Sequence, residues 1–169
     1  LFQYDPEKLK GFITDMSLAW GTATDIGLSW GWRVLSPKWR NEFVANNGYP
    51  KNYKTNGEKY LILLTDGIAK RYDWEGDGLQ EGPSASMTDD WRTEQTALSF
   101  KAVCDAIKAE DKINVFMIGY KLEGADIDMK QYLENCTNGI GKYYDANPDD
   151  LSEILSKISF DINKFYLSG

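Results

Sequence analysis

The run Lys59-Tyr-Leu-Ile-Leu-Leu-Thr-Asp66-Gly67 constrains the chain most. Its apolar residues are continuous and do not alternate, which marks residues 59–65 as a strand covered on both faces. Such strands usually sit centrally in a parallel sheet. The run ends on a carboxylate followed by glycine. The glycine lets the chain turn sharply and leaves Asp66 facing the crevice beyond the strand.

The rest of the chain fits around that strand. Asp5-Pro6 is a helix start, and Leu9, Phe12, Ile13 and Met16 recur at helical spacing over residues 6–16. Residues 20–25 read as a polar loop and residues 26–35 as a second helix, stopped by Ser36-Pro37. Residues 38–58 and 67–92 read as long connections. A helix follows over 93–109, with Leu98, Val103, Ala106 and Ile107 expected inside. Then come a strand over 113–119, a helix over 128–135, a strand over 142–146, and a helix to 163 opened by Asn147-Pro148. From residue 59 the order alternates strand and helix. This predicts an α/β fold in which helices cover both faces of a Rossmann-like parallel sheet, with ligands held beyond the carboxyl ends of the strands. The 169 residues fit a single domain.

Composition removes several function classes. A net charge of −7 disfavours nucleic acid and anionic lipid as partners. No apolar run approaches a membrane span, and Leu1-Phe-Gln-Tyr-Asp-Pro reads as mature sequence. The chain has no histidine, so Ser-His-Asp, Cys-His and Cys/His zinc arrangements are impossible. Cys104 and Cys136 are compatible with a disulfide, with two buried thiols or with ligands short of partners, and export would favour the disulfide.

Asp66 can bind a hard cation directly or through water, but strand-Asp-Gly serves equally as a turn or a helix cap. In Gly21-Thr22-Ala-Thr-Asp25-Ile-Gly27 the hydroxyls suit capping of the following helix better than metal binding. Asp73-Trp-Glu75-Gly-Asp77-Gly78 has the carboxylate alternation of a calcium loop, but Ser84 stands where that loop needs glutamate. Trp30 reads as core, and the loop residues Trp74 and Trp91 read as contact candidates.

Taken together, these segments resemble a known family. Thr22 ahead of a helix-opening glycine, and a strand ending in Leu-Thr-Asp66-Gly67, look like the second and third motifs of the metal-ion-dependent adhesion site of von Willebrand factor type A domains. The run Thr22-Ala-Thr-Asp-Ile-Gly-Leu-Ser-Trp-Gly-Trp-Arg-Val-Leu-Ser-Pro37 is similar to TadG-like proteins of the bacterial tight-adherence (Flp) pilus system. So are Val103-Cys104-Asp-Ala-Ile-Lys108, Tyr132-Leu-Glu-Asn-Cys136 and Tyr143-Tyr-Asp-Ala146. The likeness spans roughly residues 5–167.

The resemblance implies a non-enzymatic adhesion or pilus-assembly module. It implies a Mg²⁺ site with Thr22 and Asp66 as ligands, and a protein partner that completes the site with an acidic side chain. It also implies a periplasmic or cell-surface location, with any membrane anchor outside this chain. The chain departs from the family in lacking the Asp-x-Ser-x-Ser that follows the family's first, central strand; Asp15-Met-Ser17 lies at a helix end instead. The expectation is therefore a C-terminal part of a longer protein, with an incomplete metal site. The bare edge of strand 59–65 would favour self-association, strand swapping or filling by another segment. Two other readings stand beside this one. One is a doubly wound enzyme using Asp66 on a phosphorylated or nucleotide substrate, although GxGxxG and GxxxxGK[ST] are both absent. The other is a structural domain whose metal site has decayed.

Overall fold

Three strands of the chain, β1 (Tyr60–Thr65), β2 (Asn114–Tyr120) and β3 (Tyr143–Ala146), pair in parallel in the order β1-β2-β3. The computed structural model describes residues 5–16, 23–42, 48–53, 58–67, 89–122 and 129–168, as backbone alone at 89–93 and 165–168. Ile62 lies opposite Phe116 and Leu64 opposite Ile118 across the first ladder. Met117 lies opposite Tyr143 across the second.

Among the described residues five α-helices accompany the sheet: α1 (Pro6–Thr14), α2 (Thr24–Leu35), α3 (Asp89–Glu110), α4 (Met129–Cys136) and α5 (Leu151–Ser168). Side chains alternate across a strand, so each strand feeds two cores. Leu61, Val115 and Met117 face Leu28 of α2, Phe100, Cys104 and Ile107 of α3, and Leu133 and Cys136 of α4. Phe116, Ile118 and Ala146 face Ile154 and Ile158 of α5. Helices therefore lie on both faces of a parallel sheet, as the strand–helix alternation implies.

Several details differ from the sequence reading. β2, buried at every residue but its last, is the central strand, where the apolar run of 59–65 points to β1; β1 lies at the edge among the described residues, the position the expected bare edge of 59–65 requires. Ile62 and Leu64 are 45% and 49% exposed. The apolar run of β1 thus has one covered face and one bare one. In α3 the buried stripe is Ala97, Phe100, Cys104 and Ile107, the i, i+3, i+4 pattern of a helix on a sheet, while Leu98 falls outside it and is half-exposed. Trp30 is exposed rather than core, because it lies 200° around α2 from buried Leu28 at roughly 100° per residue. Its ring instead meets the Arg33 guanidinium, 5.2 Å from the centroid, and the same guanidinium lies 4.9 Å from the Trp39 ring. Pro148 sits in a turn before α5 rather than at its first position. Asp150 N–H donates to Asn147 O there, and Asp150 O accepts from Ile154 to open the helix.

Cys104 and Cys136 form a disulfide that ties α3 to α4, with their Cα atoms 5.2 Å apart. Among the described residues no helix is long and apolar enough to cross a membrane.

Candidate functional site at the carboxyl edge of the sheet

The crevice lies where a parallel sheet places it, beyond the carboxyl ends of β1 and β2. Leu64, Thr65, Asp66, Tyr120 and Leu151 line a cavity of about 340 Å³ there. Thr65 is buried and Asp66 is exposed. The turn between them and the chain beyond is built locally: Thr65 Oγ1 accepts from Gly67 N–H at 3.1 Å, and Gly67 takes φ +87°. A side chain at that φ is strained, and a Cβ on Gly67 would stand 2.0 Å from Leu122 Cδ2. Gly67→Ala is expected to cost about 1–3 kcal/mol of stability, measured by urea unfolding. An alanine variant as stable as the parent would show that this turn does not hold Asp66 in place.

The N-terminus of α2 reaches the same edge. Lys59 Nζ donates to Leu35 O at 2.5 Å, and a Cβ on Gly31 would lie 3.0 Å from Leu61 Cδ1. The end of α2 therefore sits at the start of β1, and the two run antiparallel. The helix rises ~16 Å from Thr24 to Leu35 and the strand advances ~20 Å from Lys59 to Thr65. Thr24 and Asp25 thus stand near the level of Asp66. Both are buried, 4% and 7% exposed. They read as loop in the sequence, but α2 begins at Thr24, with Asp25 in the first turn where a carboxylate suits the helix dipole. The N-cap is Ala23, whose side chain offers no cap, and Thr22 lies outside the described residues; Thr24 Oγ1 is buried and makes no hydrogen bond with any described residue.

Of the sequence-derived site residues, Asp66 stands at the cavity. Thr22, Trp74 and the Asp73–Gly78 segment lie outside the described residues, and Trp91 is described only as backbone, within α3. Cys104 and Cys136 are joined, away from this edge. Tyr120 and Leu151 line the cavity without a sequence motif to announce them. Tyr120 extends β2 one residue past the strand read at 113–119, and that extension alone could have found it.

Mg²⁺ takes six oxygen ligands in near-ideal octahedral geometry and usually needs carboxylates or phosphate among them. Among the described residues no three acidic, histidine or cysteine side chains converge to hold a metal. Asp66 with the described neighbours does not fit a complete Mg²⁺ site. Fold and crevice define an α/β domain built on a parallel sheet, with an exposed carboxylate at its carboxyl edge. No family model, curated protein or solved structure matches the chain.

Proposed function

We propose that the chain is a non-enzymatic protein-binding module of the von Willebrand A adhesion type, most like the assembly proteins of tight-adherence pili. The single observation that carries this reading is Asp66. It is exposed at the end of a parallel strand, presented by a glycine turn, beside a small cavity. The edge of β1 adds support. Asn114 N–H donates to Lys59 O, which fixes the ladder phase. The N–H and C=O groups of Ile62 and Leu64 then point away from β2, where a partner strand could pair. The Cys104–Cys136 bridge suits an oxidising compartment, so the periplasm or cell surface is the proposed location.

The metal divides the readings. Thermal unfolding is followed with Mg²⁺, Mn²⁺ or EDTA, on this chain and on one carrying sequence upstream of Leu1. Metal is expected to move the Tm of this chain by less than about 1 °C, since few ligands are present. Stabilisation of the longer chain only, abolished by Asp66→Ala, supports the adhesion reading. Asp66→Ala itself should leave the stability of this chain within about 0.5 kcal/mol, because the side chain is exposed. Turnover of a generic phosphoester that depends on Asp66 would overturn the reading in favour of an enzyme.

A further inference from the structure

Two apolar surfaces are exposed among the described residues. The first is the bare face of β1. α5 turns Ile154 and Ile158 onto β2 and β3, and its Glu153, Lys157 and Asp161 flank leans over the far edge of β3, where Asp161 pairs with Lys142 at 2.9 Å. At 100° per residue, Leu155 then falls on the opposite flank, above β1. Ile62, Leu64 and Leu155 are each roughly half-exposed, at 45%, 49% and 45%. On that helical projection they would line a groove with β1 as floor and α5 as wall. Strands are ~4.8 Å apart and helices ~10 Å wide, so α5 covers about two strands and leaves β1 bare, where a second helix would overhang the edge of the described sheet.

The second surface is α1. Its N-terminus is well made: Asp5 Oδ1 accepts from Glu7 N–H at 3.1 Å, and Pro6 occupies the first position. Leu9, Phe12 and Ile13 of α1 fall within ~100° of arc and Met16 follows just past its end, yet they are 49%, 65%, 61% and 75% exposed, and α1 buries no residue. A nine-residue helix is marginal in water unless its apolar stripe is covered.

We propose that the stripe of α1 docks in the Ile62–Leu64–Leu155 groove of the same chain. Eight steps separate Met16 from the first residue of α2 and span up to ~28 Å, against ~20 Å between helix layers on opposite faces of the sheet. The bare edge of β1 leaves that route open among the described residues. A tether this short sets an effective concentration in the millimolar range, which a second copy at micromolar concentration does not match. A lipid surface is a poorer occupant. The polar positions of α1 and its caps carry Lys8 and Lys10 against Asp5, Glu7 and Asp15, without the basic excess that draws such helices to membranes. The inference is independent of any metal at Asp66.

Amide hydrogen exchange on the full chain tests it, with β2 amides as the internal control of folding. The α1 amides are expected to exchange about 100-fold more slowly than in the free 5–16 peptide. Phe12→Asp and Leu64→Asp should each abolish that protection and leave β2 protected. If Leu64→Asp disturbs β2, Leu155→Asp on the exposed flank of α5 replaces it. Peptide-like exchange of α1 in the unmodified chain would overturn the proposal. So would protection that survives the groove variants. Protection that grows with protein concentration would assign the groove to a second copy and overturn it equally.

Discussion

Replacing Cys104 and Cys136 with alanine is expected to lower the unfolding free energy by about 3–4 kcal/mol, and the melting temperature by roughly 10 °C. The bridge closes a loop with a sequence separation of 32, and the expected loss is the chain entropy that the unfolded state regains when the loop opens. Both cysteines are buried, at 4% and 1% exposure, within the core that joins α3 and α4 to β2. Beyond the bridge, the short α4 holds its place with little more than Met129 and Leu133. Reduction without mutation should reproduce most of the loss, because the sulfurs still fill their space. Urea unfolding of the oxidised, reduced and double-alanine chains makes the comparison, and mass spectrometry confirms that the reduced chain has gained two hydrogens. An oxidised and a reduced chain that melt within about 2 °C would show that the bridge carries little of the fold.

Strands and helices were legible in the sequence wherever one pattern ruled. β1, β2, α4 and β3 fall within a residue or so of the expected 59–65, 113–119, 128–135 and 142–146. Each is a short run bounded by charge or glycine, and the register that stacks them leaves little freedom. Helix ends were harder to read. Thr24 and Asp25 look like loop because small polar residues suit turns, yet both are buried at the start of α2. The place of β1 at the edge could not be read from its composition. A strand with an unbroken apolar run gives no sign of which face lacks a cover, and Ile62 and Leu64 look like any core pair.

At the candidate site, Asp66 was legible because a strand, a carboxylate and a glycine stand in sequence. The cavity beside it was not, because Tyr120 and Leu151 arrive from elements far along the chain. The disulfide was one of three readings until the packing of α3 on α4 brought its sulfurs together. Of the residues read at Thr22, Asp66, Trp74 and Trp91, the described structure bears only on the surroundings of Asp66.

Glu110 had no motif at all, because its partners are 57 to 78 positions away. Its carboxylate accepts from Trp32 Nε1 at 3.2 Å, from Tyr53 OH at 2.7 Å and from Lys38 Nζ at 2.6 Å. It thereby fastens the end of α3 to α2 and, at two points, to the connection between α2 and β1. Glu110→Leu is expected to cost about 2–4 kcal/mol, since it removes charge-assisted bonds and strips the acceptor from a half-buried indole N–H. Glu110→Gln keeps an acceptor and should cost about half as much.

The dependence on pH fixes the sign. Burial pushes the Glu110 carboxyl up, but the Lys38, Tyr53 and Trp32 donors outweigh it and hold the group below its ordinary value. A lowered carboxyl stabilises the fold in full above the unfolded carboxyl pKa and loses that contribution as pH falls through the folded value. The gap between parent and Glu110→Gln should therefore be widest near neutrality and close in acid. Tyr53 gives the mirror case. Burial and the Glu110 carboxylate raise its hydroxyl from 10.0 to about 12. Its contribution is whole below the unfolded value and is lost as pH rises from 10.0 toward about 12, so Tyr53→Phe should flatten the alkaline decline of the parent in that window. Urea unfolding across pH measures both arms. A gap between parent and Glu110→Gln that stays constant from neutral pH into acid would mean that packing, rather than the charge on Glu110, ties α3 to α2.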